Sequence, residues 1–272
     1  VLRAGGCVAA GILVLAGCST GGAAHGGASS TPRASGSPGV QAATPSASGA
    51  PTASAAPLVP ELDESKQPKN AAEARALLGR IVIDEAAFGP EVVRSSPFES
   101  GPGRWPVLDQ DCAWQTAGLP DDVLATSTRY FHIPAGDGRG RVKINATVTI
   151  HHSREESGWE TAEAMEELLR CPGQLLRDGE ELKNLLGAST YLGEQTNGWT
   201  EDAFTESGQY VSEEGGGPYR YIWYQSQFGP VTVAIAGKNA AGFTDEALNA
   251  LVVQGTSRML LQAKQALAKA AG

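Results

Sequence analysis

Acidic residues are missing from the first sixty positions of this 272-residue chain. All 30 of them fall at or after Glu61, and Arg3 and Arg33 are the only basic residues before it. Of the 21 Lys and Arg, 19 therefore remain to face 30 carboxylates, so residues 61–272 carry a net charge of −11. Such a surface repels phosphate backbones and argues against a nucleic-acid partner. Long apolar runs are missing too; none approaches the ~20 residues that cross a bilayer. Large apolar residues are almost absent between Leu15 and Pro60, where Gly, Ala, Ser, Thr and Pro accumulate. That segment cannot bury enough surface to offset its ordering entropy and reads as a disordered tether. About 210 residues remain to fold.

Catalytic motifs are equally scarce. Gly187-Ala188-Ser189-Thr190-Tyr191 lacks the second Gly of a nucleophile elbow, and Gly237-Lys238 is followed by Asn239 with no Gly at the phosphate-loop spacing. Asp109-Gln110-Asp111 lacks the Gly and distal Glu of a calcium loop. His151 and His152 are adjacent on a strand end and point to opposite faces; His132, across a hairpin, is the one histidine placed to join either. No cofactor or metal set emerges. Acidic pairs such as Asp121/Asp122 and Glu166/Glu167 are expected on solvated faces, although two carboxyls across a cleft would suit a secreted hydrolase, which is the alternative functional class.

The chain does carry an address. Arg3, the apolar run Val8 to Leu15, and Leu15-Ala16-Gly17-Cys18 form a secretory signal. Leu-Ala-Gly-Cys resembles the bacterial lipobox, which implies lipidation of Cys18 and a protein held by a lipid anchor on the extracytoplasmic face of the cell membrane. The alternative is an ordinary signal peptide with a chance Cys behind it. Residues 1–17 are then the signal peptide, 18–69 the lipidated Cys and flexible linker, and 70–272 a globular domain.

Within that domain Asn70 caps a short helix through Leu77-Leu78, ended by Gly79, and Asp84 to Pro90 reads as one helical turn. Ser96 to Pro106 reads as a Gly/Pro-punctuated loop. Thr126–Ile133 and Val142–Ile150 alternate with period two and form an antiparallel hairpin with one wet face. Trp159 to Arg170 is helical, with Ala162, Met165, Leu168 and Leu169 as its stripe. After a polar, Gly-rich stretch, Tyr219–Gln227 and Val231–Ala236 flank Phe228-Gly229-Pro230 as a second hairpin, with Val231, Val233 and Ile235 inward. Thr244 or Asp245 caps a terminal helix with Leu248, Leu251, Val252 and Met259 inward. Blocks of strands and helices imply an α+β fold, an antiparallel sheet with helices packed on one face. Tyr219, Tyr221 and Trp223 share one strand face and are candidate ligand-binding residues; a sheet core flanked by amphipathic rings is the plainer reading.

Cys112 and Cys171 are the two cysteines left for the folded region, and in an exported chain they most simply pair. Two buried thiols are the alternative. The order of elements around them, from Leu77-Leu78 through the turn Asp84–Pro90, Cys112, Val148-Thr149-Ile150 and Cys171-Pro172 to a strand pair and a C-terminal helix, resembles the PknH-like extracellular sensor domain. That resemblance spans about residues 70–268. It implies a Cys112–Cys171 disulfide, a non-catalytic sensor role and an envelope ligand or protein partner. The second disulfide often found between the last strands of that family is absent, since Tyr219–Gln227 and Val231–Ala236 contain no Cys.

Overall fold

The computed structural model describes residues 61–189 and 200–269. The signal segment, Cys18 and the linker to Pro60 lie outside the described residues. A 3-10 turn at Glu64–Lys66 leads into helix α1 (Ala71–Ile81), a second turn at Glu85–Ala87, and strands β1 (Val93–Glu99), β2 (Trp105–Leu108), β3 (Trp114–Ala117), β4 (Val123–Ile133) and β5 (Val142–His151). Helix α2 (Arg154–Arg170) follows, then β6 (Gln174–Arg177), β7 (Glu180–Ser189), β8 (Asp202–Ser212), β9 (Gly216–Phe228), β10 (Val231–Lys238) and α3 (Asp245–Leu267). Eight strands form one antiparallel sheet in the order β1-β4-β5-β10-β9-β8-β7-β6, and β2 pairs with β3 apart from it. The class is α+β, as the sequence implies. Among the described residues no helix is long and apolar enough to cross a membrane.

The period-two set Val142, Ile144, Ala146, Val148 and Ile150 is wholly buried, alongside Val231, Val233 and Ile235 of β10 and Ile222, Tyr224 and Phe228 of β9. Helices α1 and α3 close this face. The Asn70 side chain accepts from Ala72 N and Glu73 N at 3.0 Å, and the Glu73 carboxylate accepts from Lys69 N at 2.8 Å. Helix α1 runs through Gly79 to Ile81, because fully buried Ile81 completes the stripe of Ala74, Leu77 and Leu78. Thr244 caps α3. Gly255 serves close packing there, since a Cβ would sit 2.7 Å from Phe88 Cε1.

One expectation concerned where the helices lie. Helix α2 crosses the opposite face of the sheet from α1 and α3, so helices cover both faces. Its inward side is Ser157, Thr161 and Leu168, while Leu169 is 85% and Trp159 61% exposed. The apolar stripe Ala162, Met165, Leu168, Leu169 is thus only partly the buried one. Polar anchoring replaces it: Ser157 Oγ donates to Gly229 O at 2.6 Å and Gln225 Nε2 to Thr161 Oγ1 at 3.0 Å. The helix also starts earlier than Trp159, capped by Ser153.

Two stretches read as loop are strands. Ser96–Pro106 holds most of β1 and the start of β2, and the Gly-rich stretch after α2 holds β6, β7 and β8. Residues 61–69, read as linker, are tied to the end of α3: Asp63 N donates to Leu267 O and Lys269 N to Glu61 O, both at 2.8 Å. Cys112 and Cys171 form a disulfide with Cα atoms 5.5 Å apart. It joins the turn before β3 to the C-cap of α2, and Arg170 reinforces the joint by donating to the carbonyls of Leu108 and Asp109 at 3.0 and 2.7 Å.

Candidate functional site

Strand register lays the α2 side of the sheet out in rows. Thr126, Thr149, Thr232 and Gln227 form one row across β4, β5, β10 and β9. Thr128, Thr147, Ala234 and Gln225 form the next, then Tyr130, Asn145, Ala236 and Trp223, then His132, Lys143, Lys238 and Tyr221. Helix α2 sits on the first rows through Glu160, Thr161 and Ser157. Tyr130, Asn145, Ala236, Trp223, Lys143 and Lys238 remain half-exposed. The surface they make is aromatic and polar around a small residue, Ala236. Arg104, at the head of β2, is close enough for its charge to be felt at the Tyr130 phenol.

At the far edge of this surface charges converge. Lys143 Nζ donates to Glu180 Oε1 at 2.5 Å and to the Tyr210 hydroxyl at 3.0 Å, and Arg177 pairs with the same Glu180 oxygen. Lys238 stands over the Tyr210 ring, as does Lys143, each 5.6 Å from its centroid. Burial works against the Glu180 charge, but Arg177 and Lys143 outweigh it and hold the carboxyl down at about 2. Burial lowers Lys238 to about 8; Glu180 pulls the other way, and Lys143 and Arg177 add to the lowering. Two cations thus bond one carboxylate, with Lys238 near enough to act on its charge, within a domain that is strongly acidic overall.

Beneath α2 the polar groups are shut in. His151 bridges two carboxylates, with Nε2 2.7 Å from Glu160 Oε2 and Nδ1 3.3 Å from Asp122 Oδ2. Burial opposes its charge, yet Glu160 and Asp122 prevail and its pKa is raised. His132 instead accepts from Arg141 at 2.9 Å through Nε2, with Nδ1 3.1 Å from Ser95 Oγ; burial and Arg141 lower its pKa. In register His132 faces Lys143 and His151 faces Val123, placing the two histidines at opposite ends of the hairpin. His132, His151 and His152 therefore do not converge, and no group of three or more potential metal ligands occurs among the described residues. Glu206, 7% exposed, lies across from Trp223 and bonds the buried Tyr221 hydroxyl. Burial, with repulsion from Glu167, pushes its carboxyl up to about 7 against the Tyr221 bond. It is a carboxyl held inside the fold under α2, not one presented to a cleft.

The three candidate aromatics part company here. Trp223 and Tyr219 are half-buried on the open surface, and Trp223 meets the Phe204 ring edge-on at 6.1 Å. Tyr221 is buried in the small core with Leu168, Leu182, Leu185, Phe204 and Tyr210. Lys143, Lys238 and Tyr210 escaped the sequence reading, because each looks like a solvated strand-end residue until register brings them together. Apart from this surface, an open cleft of about 520 Å³ lies between the first 3-10 turn and the start of α2. Its charged residues, Glu64, Lys69, Arg154 and Glu155, are all exposed.

No family model and no curated protein matches the chain. Among solved structures, it is similar to the extracellular domain of PknH from Mycobacterium tuberculosis, at 10% identity over 71% of this chain and 98% of that one, with a TM-score of 0.40. An uncharacterised protein from Mycobacterium smegmatis is similar at 13% identity over 74% and 98%, with a TM-score of 0.30.

Proposed function

We propose that this chain is an extracytoplasmic, sensor-like binding domain without catalytic activity, anchored through lipid on Cys18, that takes an envelope ligand on the open half of the α2 face. The observation that carries the reading is the row Tyr130, Asn145, Ala236 and Trp223, every member of which keeps part of its surface exposed although Ala236 and Trp223 also pack against the small core beneath the end of α2. A sheet face of aromatic and amide side chains around a small central residue offers stacking area and fixed hydrogen-bond groups together. The Cys112–Cys171 disulfide supports an oxidising compartment. The secreted-hydrolase alternative would need exposed paired carboxyls, whereas the carboxyl with the largest upward shift, Glu206, is buried.

The test uses the full chain exported from a Gram-positive host. The wild type is expected in the membrane fraction and Cys18→Ala in the medium. Purified protein is expected to retain wall fragments or a lipid extract, and Trp223→Ala to lose that retention by tenfold or more. Equal retention by Trp223→Ala would move the site elsewhere, and turnover of a retained glycan would overturn the non-catalytic reading.

A further inference from the structure

The open face carries more chemistry than a general binding surface needs. Lys143 and Lys238 are direct cross-strand partners on one face, an arrangement that costs stability unless something offsets it. Glu180 is the carboxylate bonded at the cluster, its Oε1 taken by Lys143 and Arg177, and Glu214 is near enough to act on Arg177. The Lys238 ammonium has the Tyr210 ring beside it and no hydrogen bond to a carboxylate there. Burial, Lys143 and Arg177 disfavour its charge, against the pull of Glu180. Two lysines set side by side on a half-exposed surface attract an anion.

Trp223 stands diagonally across the ladder from Lys238, since Trp223 pairs with Ala236 and Tyr221 with Lys238. Diagonal neighbours lie roughly 7–8 Å apart, within reach of one ring-sized ligand. Indole offers a flat apolar face, Asn145 in the same row an amide, and the lysine a charge. Resting on the reading that this face is the binding face, we infer that its ligand is an acidic saccharide. The sugar ring lies at Trp223, and its carboxylate meets Lys238 with Lys143 behind it.

Binding of an oligogalacturonide, a neutral gluco-oligosaccharide of equal length and inorganic phosphate is measured by titration calorimetry at low ionic strength. The uronate should bind at least tenfold tighter than the neutral sugar, and its affinity should fall as salt rises. Lys238→Met should weaken the uronate by about tenfold while leaving the neutral sugar unchanged; Lys238→Gln serves if the first variant misfolds. Trp223→Ala should weaken both sugars. Equal affinity for charged and neutral sugars, or an unaltered uronate affinity in Lys238→Met and Lys238→Gln, overturns the inference. Phosphate binding without uronate binding overturns the saccharide assignment. Wall-fragment retention that depends on Trp223 but not on Lys238 would leave the binding face standing and remove only the acidic ligand. Loss of all retention would take the face with it.

Discussion

Replacing Glu206 with Gln should make this protein more stable at high pH and leave it unchanged at low pH. Glu206 is 7% exposed on β8, beneath α2, with its carboxyl pushed from the ordinary 4.5 to about 7. Because the folded state holds the proton more tightly than the unfolded state, stability is undiminished below pH 4.5. It falls between 4.5 and about 7, and stays lower above that. A displacement from 4.5 to about 7, at about 1.36 kcal/mol per unit, gives roughly 3 kcal/mol of lost stability at pH 8. Gln keeps the shape and can still bond the Tyr221 hydroxyl, but it does not ionise. Urea titrations from pH 4 to 8.5 should therefore give equal free energies at pH 4 and a variant about 3 kcal/mol more stable at pH 8. In a domain of this size that is roughly 6–12 °C in Tm. His151, whose pKa is raised, also loses its stabilising contribution as pH rises through its folded pKa, but that loss is common to both proteins and cancels in the difference. A wild-type-to-variant difference flat across pH, or a variant less stable at pH 8, would refute the placement of a protonated carboxyl beneath α2.

Two further outcomes follow from packing and covalent structure. Replacing Cys112 and Cys171 together with Ala opens a loop with 59 residues of sequence separation and should cost about 4 kcal/mol in thermal unfolding; wild type in reductant should drop equally, and an unmoved midpoint would show that the bond does not constrain the unfolded chain. Gly255→Ala would gain about 1 kcal/mol in an exposed helix. Here the new Cβ meets Phe88 at 2.7 Å and Ile235 at 3.1 Å, so a net loss of about 1–3 kcal/mol is expected, and a gain in urea midpoint would show that Phe88 yields freely.

What the sequence made legible follows from which faces are purely apolar. The β4–β5 hairpin could be read because Val142 to Ile150 alternates without exception, and every inward member is buried. Helix α1 announced itself through Asn70 and its buried leucines. Strand β8 did not, since its α2-facing set is Phe204, Glu206, Gly208 and Tyr210, where an acid and a glycine break the apolar rhythm. The inward side of α2 was misread for the same reason: Ser157 and Thr161 anchor it by hydrogen bonds, and the eye goes to Leu169 instead. At the site, the Tyr219, Tyr221, Trp223 row was visible as alternate positions on one strand. Its division into buried Tyr221 and half-exposed Trp223 depends on Glu206 of the neighbouring strand, which periodicity within β9 cannot reveal.

Helix α2 covers part of this face and is fixed where it lies. Seventeen residues make α2 about 25 Å long, and the sheet beneath it is curled, since Lys143 of β5 bonds Glu180 of β7, four strands along the order. Laid from the Gly229 turn toward Gly187, where Leu168 packs, the helix crosses the sheet and meets the Ala236 row at its Glu206–Gly187 end, while Tyr130, Asn145, Ala236 and Trp223 keep part of their surface exposed. Its two ends are fixed by different means. Gln227 Nε2 donates to Arg154 O at 2.8 Å and His151 holds Glu160 at the first end, while the Cys112–Cys171 bond and the Arg170 contacts secure the second. A helix held at both ends is poorly suited to swing across the face as a lid. A ligand at Trp223 and Lys238 would therefore meet a surface already in place, sparing the ordering cost that a closing element would add to binding.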